Sequence, residues 1–359
     1  MKPQSLLLKS HVLKNQILKN WIVATPIISL LFIASQASAD SSVKFYGELD
    51  SYLSSNQPSG SDDTKSTTGI QSNGLTTSYV GVSGSHELEG GLTVIGSLEA
   101  FLQPSEGEIG RFDGDMMFAR AANFGLKGDF GQVTFGRNAS LYFLSSIIYN
   151  PFGDSFTFSP MVLMGYGGGG VYGDSGWSDS IVYTTPTSGG FTTSVQYAFG
   201  EKAGDSSTNK MAANTFYKAG DFGLTAAVQK ISGTQTGATG LGADDSQTDA
   251  LIGISYALGE TTLYAQYQMM SDDKVSGDID RDTWVLSASI AAGKGAVYLG
   301  VGFTDTSTDS GDYDRTIYTV MYNLPLSKKL DLYAGYTSDS PDGVEQDGQT
   351  LGLGGRFRF

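Results

Sequence analysis

The sequence contains no cysteine, only two histidines, and no long apolar run beyond its first 39 residues. Without cysteine the chain has no disulfide scaffold, no thiolate chemistry and no cysteine-bound metal site. A membrane-spanning helix needs about 20 apolar residues in a row. Residues 40–359 therefore belong either to a soluble protein or to a β-barrel.

Basic residues are also scarce. The chain has 22 Lys and Arg against 37 Asp and Glu, which gives a formal net charge of −15. Because residues 1–39 contain four lysines and no acid, the remainder carries −19. A nucleic-acid-binding protein needs the opposite sign to neutralise phosphates, so nucleic acid is excluded as a partner.

The first 39 residues have the pattern of a secretory signal peptide. Lysines precede an apolar stretch at 21–34, and the small residues of Ala37-Ser-Ala39 form a cleavage motif. An N-terminal membrane anchor is the alternative, but the apolar stretch is short. We expect residues 1–39 to be a signal peptide and residues 40–359 to be one domain.

Apolar and polar residues alternate with period 2 through most of residues 40–359, and helical periodicity is rare there. The 48 glycines, 19 tyrosines and 19 phenylalanines supply turn and strand formers, a composition that also fits a soluble β-sandwich. The alternation predicts sixteen strands, at residues 43–53, 76–86, 91–103, 115–127, 132–138, 178–186, 190–200, 211–219, 222–231, 248–257, 260–270, 281–290, 295–303, 314–323, 330–338 and 349–359.

The connections between these strands alternate between short and long. The long ones are 54–75, 104–114, 139–177, 201–210, 232–247, 271–280, 304–313 and 339–348. Outer-membrane barrels have short turns at one end and long loops at the other, whereas a sandwich has no reason for this parity. All seven prolines after residue 39 avoid strand interiors, as the ladder requires. The sequence predicts an all-β fold, a 16-stranded antiparallel transmembrane β-barrel.

The last eleven residues form an alternating strand that ends on an aromatic residue. One face carries the apolar side chains of Leu351, Leu353, Phe357 and Phe359. The other face carries the polar side chains of Thr350, Arg356 and Arg358. An open, half-apolar edge invites aggregation in water, whereas a closing strand with its apolar side outward suits a membrane. The strand predicts location in an outer membrane, with Phe359 at the periplasmic interface.

Several motifs resemble those of the general Gram-negative diffusion porins. They are Gly125-Leu-Lys-Gly-Asp-Phe-Gly-Gln-Val-Thr-Phe-Gly-Arg137, Val43-Lys-Phe-Tyr-Gly-Glu-Leu-Asp-Ser-Tyr-Leu53, Ser78-Tyr-Val-Gly-Val-Ser-Gly84, Glu87-Leu-Glu-Gly-Gly-Leu92 and the terminal Phe359. The resemblance implies a sixteen-stranded barrel assembled as a homotrimer, with the third external loop folded into the lumen. It also implies that the barrel-assembly machinery reads Phe359 as a signal.

The longest connection, 139–177, matches that third loop in position and is rich in glycine and aromatic residues. Packing against an inner wall would bury it, and an external lid or receptor-binding surface is the alternative. In the family, acids on this loop face a row of basic residues across a constriction.

By resemblance, Arg120 and Arg137 take two wall positions and Asp154 is the loop acid. Tyr79, Glu48 and Trp177 stand at or near positions where family members carry basic residues, so the basic side looks depleted. Each arginine has the alternative of a structural ion pair.

Little in the sequence points to catalysis. His86 with Ser83 or Ser85 is a poor nucleophile pair, and Gly165–Gly170 lacks the Lys-Ser/Thr of a phosphate loop. Two aspartate-rich loops lack EF-hand spacing. We predict no enzyme activity, no cofactor and no metal site. The acidic external loops are either a solvated surface or a place where divalent cations bridge to lipopolysaccharide.

The function expected from the resemblance is passive diffusion of ions and small hydrophilic solutes through a water-filled channel. The net charge of −19 and the depleted basic side predict a preference for cations. A sugar-preferring channel, with loop aromatics as a stacking track, remains an alternative. A non-conducting adhesin or structural barrel is another. The expected partners are two further copies of the chain, outer-membrane lipid with lipopolysaccharide, and the barrel-assembly machinery.

Overall fold

The computed structural model of the protein describes residues 41–60, 65–167, 170–200, 208–233 and 241–359, and the predicted signal peptide lies outside them. The strands are β1 (Ser41–Gln57), β2 (Thr67–Ser72), β3 (Tyr79–Glu87), β4 (Thr93–Gln103), β5 (Glu108–Ile109), β6 (Ala121–Gly128), β7 (Gly131–Ala139), β8 (Gly176–Thr184), β9 (Phe191–Ala198), β10 (Lys210–Ala219), β11 (Phe222–Ser232), β12 (Ser246–Leu258), β13 (Thr261–Asp273), β14 (Ile279–Ala292), β15 (Gly295–Thr308), β16 (Gly311–Pro325), β17 (Leu330–Pro341) and β18 (Gly348–Arg358). The helices are α1 (Leu141–Ile148) and α2 (Pro160–Gly165).

The strands form one antiparallel sheet that closes on itself where β18 pairs with β1. Both β2 and β3 pair with β1, and both β5 and β6 pair with β4, so each pair is a single interrupted wall strand. The wall therefore has sixteen strands, which confirms the predicted fold. Closure pairs both edge strands, so the part of the wall that the structure describes leaves no sheet edge open to lipid.

Seven short connections lie at one end of the barrel, as the sequence predicts. The tightest are two-residue turns in which glycine takes a left-handed conformation, such as Gly220 at φ 55° and Gly259 at φ 62°. At the other end, the expected loop 304–313 is mostly strand, because β15 and β16 extend until only residues 309–310 remain between them.

The strand expected at 115–127 begins later than predicted, at Ala121. Phe124 and Leu126 are exposed on the outer surface, whereas Ala121 is buried.

The two faces of the wall differ as a membrane barrel requires. In β12, Ile252, Ile254 and Tyr256 are exposed on the outer face, while Asp249 and Leu251 are buried on the inner face. An apolar outer face and a polar inner face match a barrel that spans a bilayer. Within the described ranges, no helix is long and apolar enough to cross a membrane.

The connection between β7 and β8, residues 140–175, is called loop 3 here and contains both helices. Ser140 and Ser159 begin these helices, and each hydroxyl accepts a hydrogen bond from an amide in the first turn. Pro160 follows at the first helical position, where a missing amide hydrogen costs nothing. These caps end the extended backbone of the wall and start a compact segment.

Loop 3 packs against the inner face of the barrel, and the apolar core lies between the two. Three buried clusters each combine loop 3 with wall residues: Leu141 and Tyr172 with Val182 and Ile231; Tyr142, Met161 and Met164 with Leu251, Val285 and Ile317; Phe152 and Phe158 with Tyr52, Met321 and Tyr333. The apolar composition that marks this loop in the sequence thus has its explanation in burial.

Candidate pore constriction

The tip of loop 3 carries Asp154, which the chain between β2 and β3 holds in place. The Thr76 hydroxyl donates to Oδ1 of Asp154 at 2.7 Å, and the Thr77 amide donates to Oδ2 at 3.4 Å. The Ser155 hydroxyl donates to the Gly74 carbonyl at 2.6 Å. Among the described residues, Asp154 has no cationic partner. Its negative charge is therefore not compensated by direct contact.

Residues 73–78, called the inward bend here, are themselves fixed by Asp50 of β1. The amides of residues 74–76 donate to the Asp50 carboxylate at 3.0 to 3.2 Å, and the Tyr333 hydroxyl donates to it at 2.5 Å. Asp50 has no exposed surface. Four donors around one buried carboxylate stabilise it without a cation, because hydrogen bonds to a charged acceptor are strong. Loop 3 thus meets a fixed part of the wall.

The wall beside the loop tip carries four polar side chains in mutual contact. The guanidinium carbon of Arg120 lies 3.8 Å from the ring centroid of Tyr79. Arg120 also forms an ion pair with Glu99, which accepts a hydrogen bond from the Tyr46 hydroxyl. Glu99 therefore compensates the charge of Arg120, and the face of the Tyr79 ring also attracts the guanidinium.

Glu48 completes this part of the wall. It is the register partner of Tyr79, and Tyr79 lies within electrostatic reach of Glu48, Arg120 and Asp154. The structure thus brings together four of the six residues for which the sequence predicts a place in the constriction. We call Glu48, Tyr79, Glu99, Arg120 and Asp154 the candidate constriction.

Beside Glu48, the closing strand contributes two arginines. Arg356 and Arg358 lie 3.3 and 3.0 Å from Oε1 of Glu48, and 2.9 and 2.6 Å from Oδ2 of Asp331. We call these four residues the arginine cluster. The sequence places both arginines on the inner face, but their pairing depends on barrel closure.

The charges of the candidate constriction and the arginine cluster nearly cancel. Together they hold four carboxylates, from Glu48, Glu99, Asp154 and Asp331, and three guanidiniums. Each guanidinium contacts at least one carboxylate, whereas Asp154 contacts only threonines. The excess is one negative charge, and it sits on the loop tip.

Arg137 does not line the candidate constriction. It is 7% exposed, and it donates to the Ala119 carbonyl, to Ser178 at 3.1 Å and to Asp174 at 2.7 Å. The alternative of a structural ion pair therefore describes Arg137. A register shift between β7 and β8 at Gly136 and Asn138 turns its side chain toward the base of loop 3.

Asp174 is the centre of that ion pair at the end of loop 3. Arg111 donates to both of its oxygens, at 2.5 and 3.1 Å, and Arg137 donates to Oδ2. Burial opposes ionisation of Asp174, but the hydrogen bonds and positive charges of the two arginines outweigh it and hold its pKa below the usual value. Asp174 therefore stays charged and fixes the base of the loop.

The expectation that Trp177 belongs to the constriction is wrong. Its side chain has no exposed surface and packs with Leu141, Tyr172 and Ile231 between loop 3 and the wall. A large aromatic side chain at this point gains more from burial than from contact with a polar lumen.

Phe359 lies at the closure of the barrel. Its amide donates to the Gly47 carbonyl at 3.1 Å, and its carbonyl accepts from the Gly47 amide at 3.3 Å. Its ring centroid is 5.6 Å from that of Phe45 and 6.0 Å from that of Phe357. These three rings form an aromatic group on the outer face next to the short-turn end.

The lumen on the short-turn side of the constriction is polar. A cavity of about 430 Å³ there is lined mainly by hydrophilic side chains from the first wall strands, including Ser42, Lys44, Ser83, Ser97, Asn123 and Gln132. Side chains of this kind offer hydrogen bonds to water, as a polar lumen lining does.

Sequence reasoning missed Glu99, Tyr46 and Asp331. Glu99 and Tyr46 alternate with apolar neighbours, so their inward direction is readable from the period of two. Asp331 follows a short turn and also alternates with apolar neighbours. What the sequence does not reveal is which inward charges face one another, since that requires the register across the closed barrel.

A closed antiparallel barrel with an apolar outer face, a polar lumen and an inserted loop is the architecture of an outer-membrane channel protein. A family model described as Gram-negative porin matches residues 24–343. The chain belongs to this family, a family of channels, and is a protein of the Gram-negative outer membrane.

Relatives agree with this assignment. Outer membrane porin protein 32 of Delftia acidovorans is 26% identical over 331 residues, covering 91% of this chain and 90% of that protein. The fold is similar to an anion-selective porin from Comamonas acidovorans, with a TM-score of 0.77 and 23% identity over 89% of this chain and all of that one. It is also similar to the trimer form of OmpT from Vibrio cholerae, with a TM-score of 0.68 and 18% identity over 89% and 99%.

Proposed function

We propose that this porin is a water-filled channel for passive diffusion of ions and small hydrophilic solutes, and that Asp154 gives it a preference for cations. The observation that carries the preference is the charge balance at the loop tip. Every arginine of the candidate constriction and the arginine cluster contacts a carboxylate, whereas Asp154 contacts only Thr76 and Thr77.

The size of the effect follows from distance. An ion about 8 Å from one carboxylate gains roughly 0.5 kcal/mol at the dielectric constant of water and about 2 kcal/mol at an effective value near 20. A charge about 25 Å away on an external loop is several Debye lengths distant at physiological salt and is largely screened. Asp154 should therefore outweigh the many acids of the external loops.

Substitution of Asp154 tests this proposal. In a salt gradient across a planar bilayer, we expect D154N to shift the zero-current potential toward anions, with a fall of about two-fold or more in the cation-to-anion permeability ratio. Neutralising Asp342 and Asp347, which lie on an external loop, is the matched control and should barely move the potential. A wild-type pore that prefers anions, or a larger effect of the loop pair, would contradict the proposal.

The relative from Comamonas acidovorans is described as anion-selective. At 23% identity its selectivity does not transfer to this chain, and the local charge balance argues for the opposite sign. The same experiment decides between the two, because the sign of the wild-type potential reports selectivity directly.

Most of the support for the sugar-preferring alternative is lost, because Tyr142, Phe152 and Phe158 are at most 1% exposed, pack against the wall and offer no face to a passing sugar. Phe156, which is 38% exposed and stacks with Phe143, is the aromatic surface that this alternative would have to use. A non-conducting adhesin or plugged barrel would show no current in the bilayer measurement.

We also propose that the channel is a homotrimer whose neighbours are lipid and lipopolysaccharide, and that the barrel-assembly machinery reads Phe359. The trimer is supported by the trimer form of the relative from Vibrio cholerae. The lipid partners are supported by the apolar outer face, and the role of Phe359 by its position at barrel closure.

A further inference from the structure

The arginine cluster holds two cations side by side on the lumen wall. Arg356 and Arg358 are two residues apart on one strand, so their side chains leave the same face about 6.6 Å apart. Their side chains are 20% and 34% exposed, which leaves part of each guanidinium in reach of the lumen. Two neighbouring guanidiniums are the usual protein recognition element for phosphate and carboxylate groups.

Two acids occupy the donors that such a ligand would use. Asp331 accepts from both arginines, at 3.1 and 2.9 Å from Arg356 and at 2.6 Å from Arg358. Glu48 approaches both through the same oxygen, Oε1. Asp331 is 4% exposed, so a passing anion has little access to the hydrogen-bond donors that its carboxylate occupies.

We propose that Asp331, assisted by Glu48, is a specificity-determining residue that keeps a latent oxyanion site silent. The inference rests on the proposed diffusion function and adds the arginine cluster as a second position that sets ion selectivity. When Asp331 is neutral, Arg356 and Arg358 turn their donors to the lumen and bind a small oxyanion. The cation preference then depends on two features, the free charge of Asp154 and the masked charges of the arginine cluster.

The test compares D331N with D339N, using inorganic phosphate as the probe. Asp339 lies on the same strand as Asp331 and pairs with a single arginine, Arg315, at 2.8 Å, so D339N removes the same charge without freeing a pair. We expect D331N to shift the zero-current potential toward anions several-fold more than D339N. Millimolar phosphate should reduce the chloride current of D331N and leave the wild type and D339N unaffected.

A second substitution separates site formation from loss of one negative charge. Adding R356Q to D331N restores the local charge and removes half of the site, so the double variant should lose the phosphate block. If D331N does not assemble, E48Q serves instead, with a smaller effect of the same sign. Current in D331N or E48Q that phosphate leaves unchanged would overturn the inference.

Phosphate binding has a readout that does not require conduction. Ligand binding to the folded state raises the temperature at which the barrel unfolds. Phosphate should raise the temperature of the heat-dependent gel shift for D331N and not for the wild type. A wild-type protein that does not conduct would contradict the proposed function, whereas absence of the phosphate effect in both assays would contradict the latent site alone.

Discussion

Arg120 and Arg137 are the same residue type but lie in two different environments. The resemblance implies the same role for both, a position on the basic side of the constriction. Arg120 stands one position before β6 and extends over Tyr79, where it meets Glu99. Arg137 follows Gly136, whose φ of 114° accompanies the register shift that redirects the next side chain. A shift of this kind is invisible to a count of alternating residues.

The ion pairs of Asp174 predict a pH dependence for the base of loop 3. Because its pKa is lowered in the folded protein, the stability it contributes is present above its ordinary pKa of about 3.9 and is lost as pH falls through the lowered value. We expect D174N to lower the unfolding temperature of the barrel at pH 7. The difference from the wild type should shrink in strongly acidic solution. The gel-shift temperature at several pH values measures this, and a difference that does not change with pH would contradict it.

At the scale of elements, the period of two predicts all sixteen wall strands, because each strand has lipid on one side and water or loop 3 on the other. The sequence does not predict α1 and α2. Loop 3 is apolar on several sides, since it packs against the wall over much of its surface, and no helical stripe stands out. The short strand β2 is missed for a different reason: the inward bend separates it from β3, and only its pairing with β1 identifies it.

The residues of the candidate constriction also divide into those that the sequence pattern predicts and those that depend on contacts between distant strands. The sequence places the two closing arginines on the inner face, since that needs only alternation, and the resemblance adds Glu48 and Tyr79. It does not predict that Glu48 contacts Arg358, 310 positions away, because that contact depends on the register of closure. Nor does it predict Asp50 as an anchor, because three of the four donors come from the inward bend, which has no regular pattern.

That anchor carries a prediction for the whole loop. D50N keeps the shape of the side chain but removes the charge that four donors share, and a hydrogen bond to a charged group is worth about 1.5–3 kcal/mol. We expect the inward bend and the tip of loop 3 to loosen, so that single-channel current becomes noisier and the unfolding temperature falls.

The control for D50N is D342N. Asp342 also accepts an amide hydrogen bond, from Asp314 at 3.1 Å, but it lies on an exposed external connection. D342N should change neither quantity. If D50N has the noise and unfolding temperature of the wild type, the inward bend is held by other contacts.

At the scale of the molecule, Phe359 joins the two ends of the wall. Deleting it removes two backbone hydrogen bonds to Gly47 and the ring contacts with Phe45 and Phe357. We expect less heat-modifiable barrel in the outer membrane, because closure and the proposed recognition by the barrel-assembly machinery are both weakened. F357A removes a neighbouring ring but leaves the last residue in place, and it should assemble better than the deletion. Equal amounts of assembled barrel in wild type and deletion would contradict this role.

The anchoring of loop 3 also has a consequence for the order of events during assembly. Asp154 meets Thr76 across 78 positions, so this contact is available once the first third of the barrel exists. Tyr333 reaches Asp50 across 283 positions and also packs on Phe158, which requires the last strands. We therefore expect the pore to reach its final width only when the last strands join the wall. A half-built barrel has neither a closed wall nor a fully anchored loop 3.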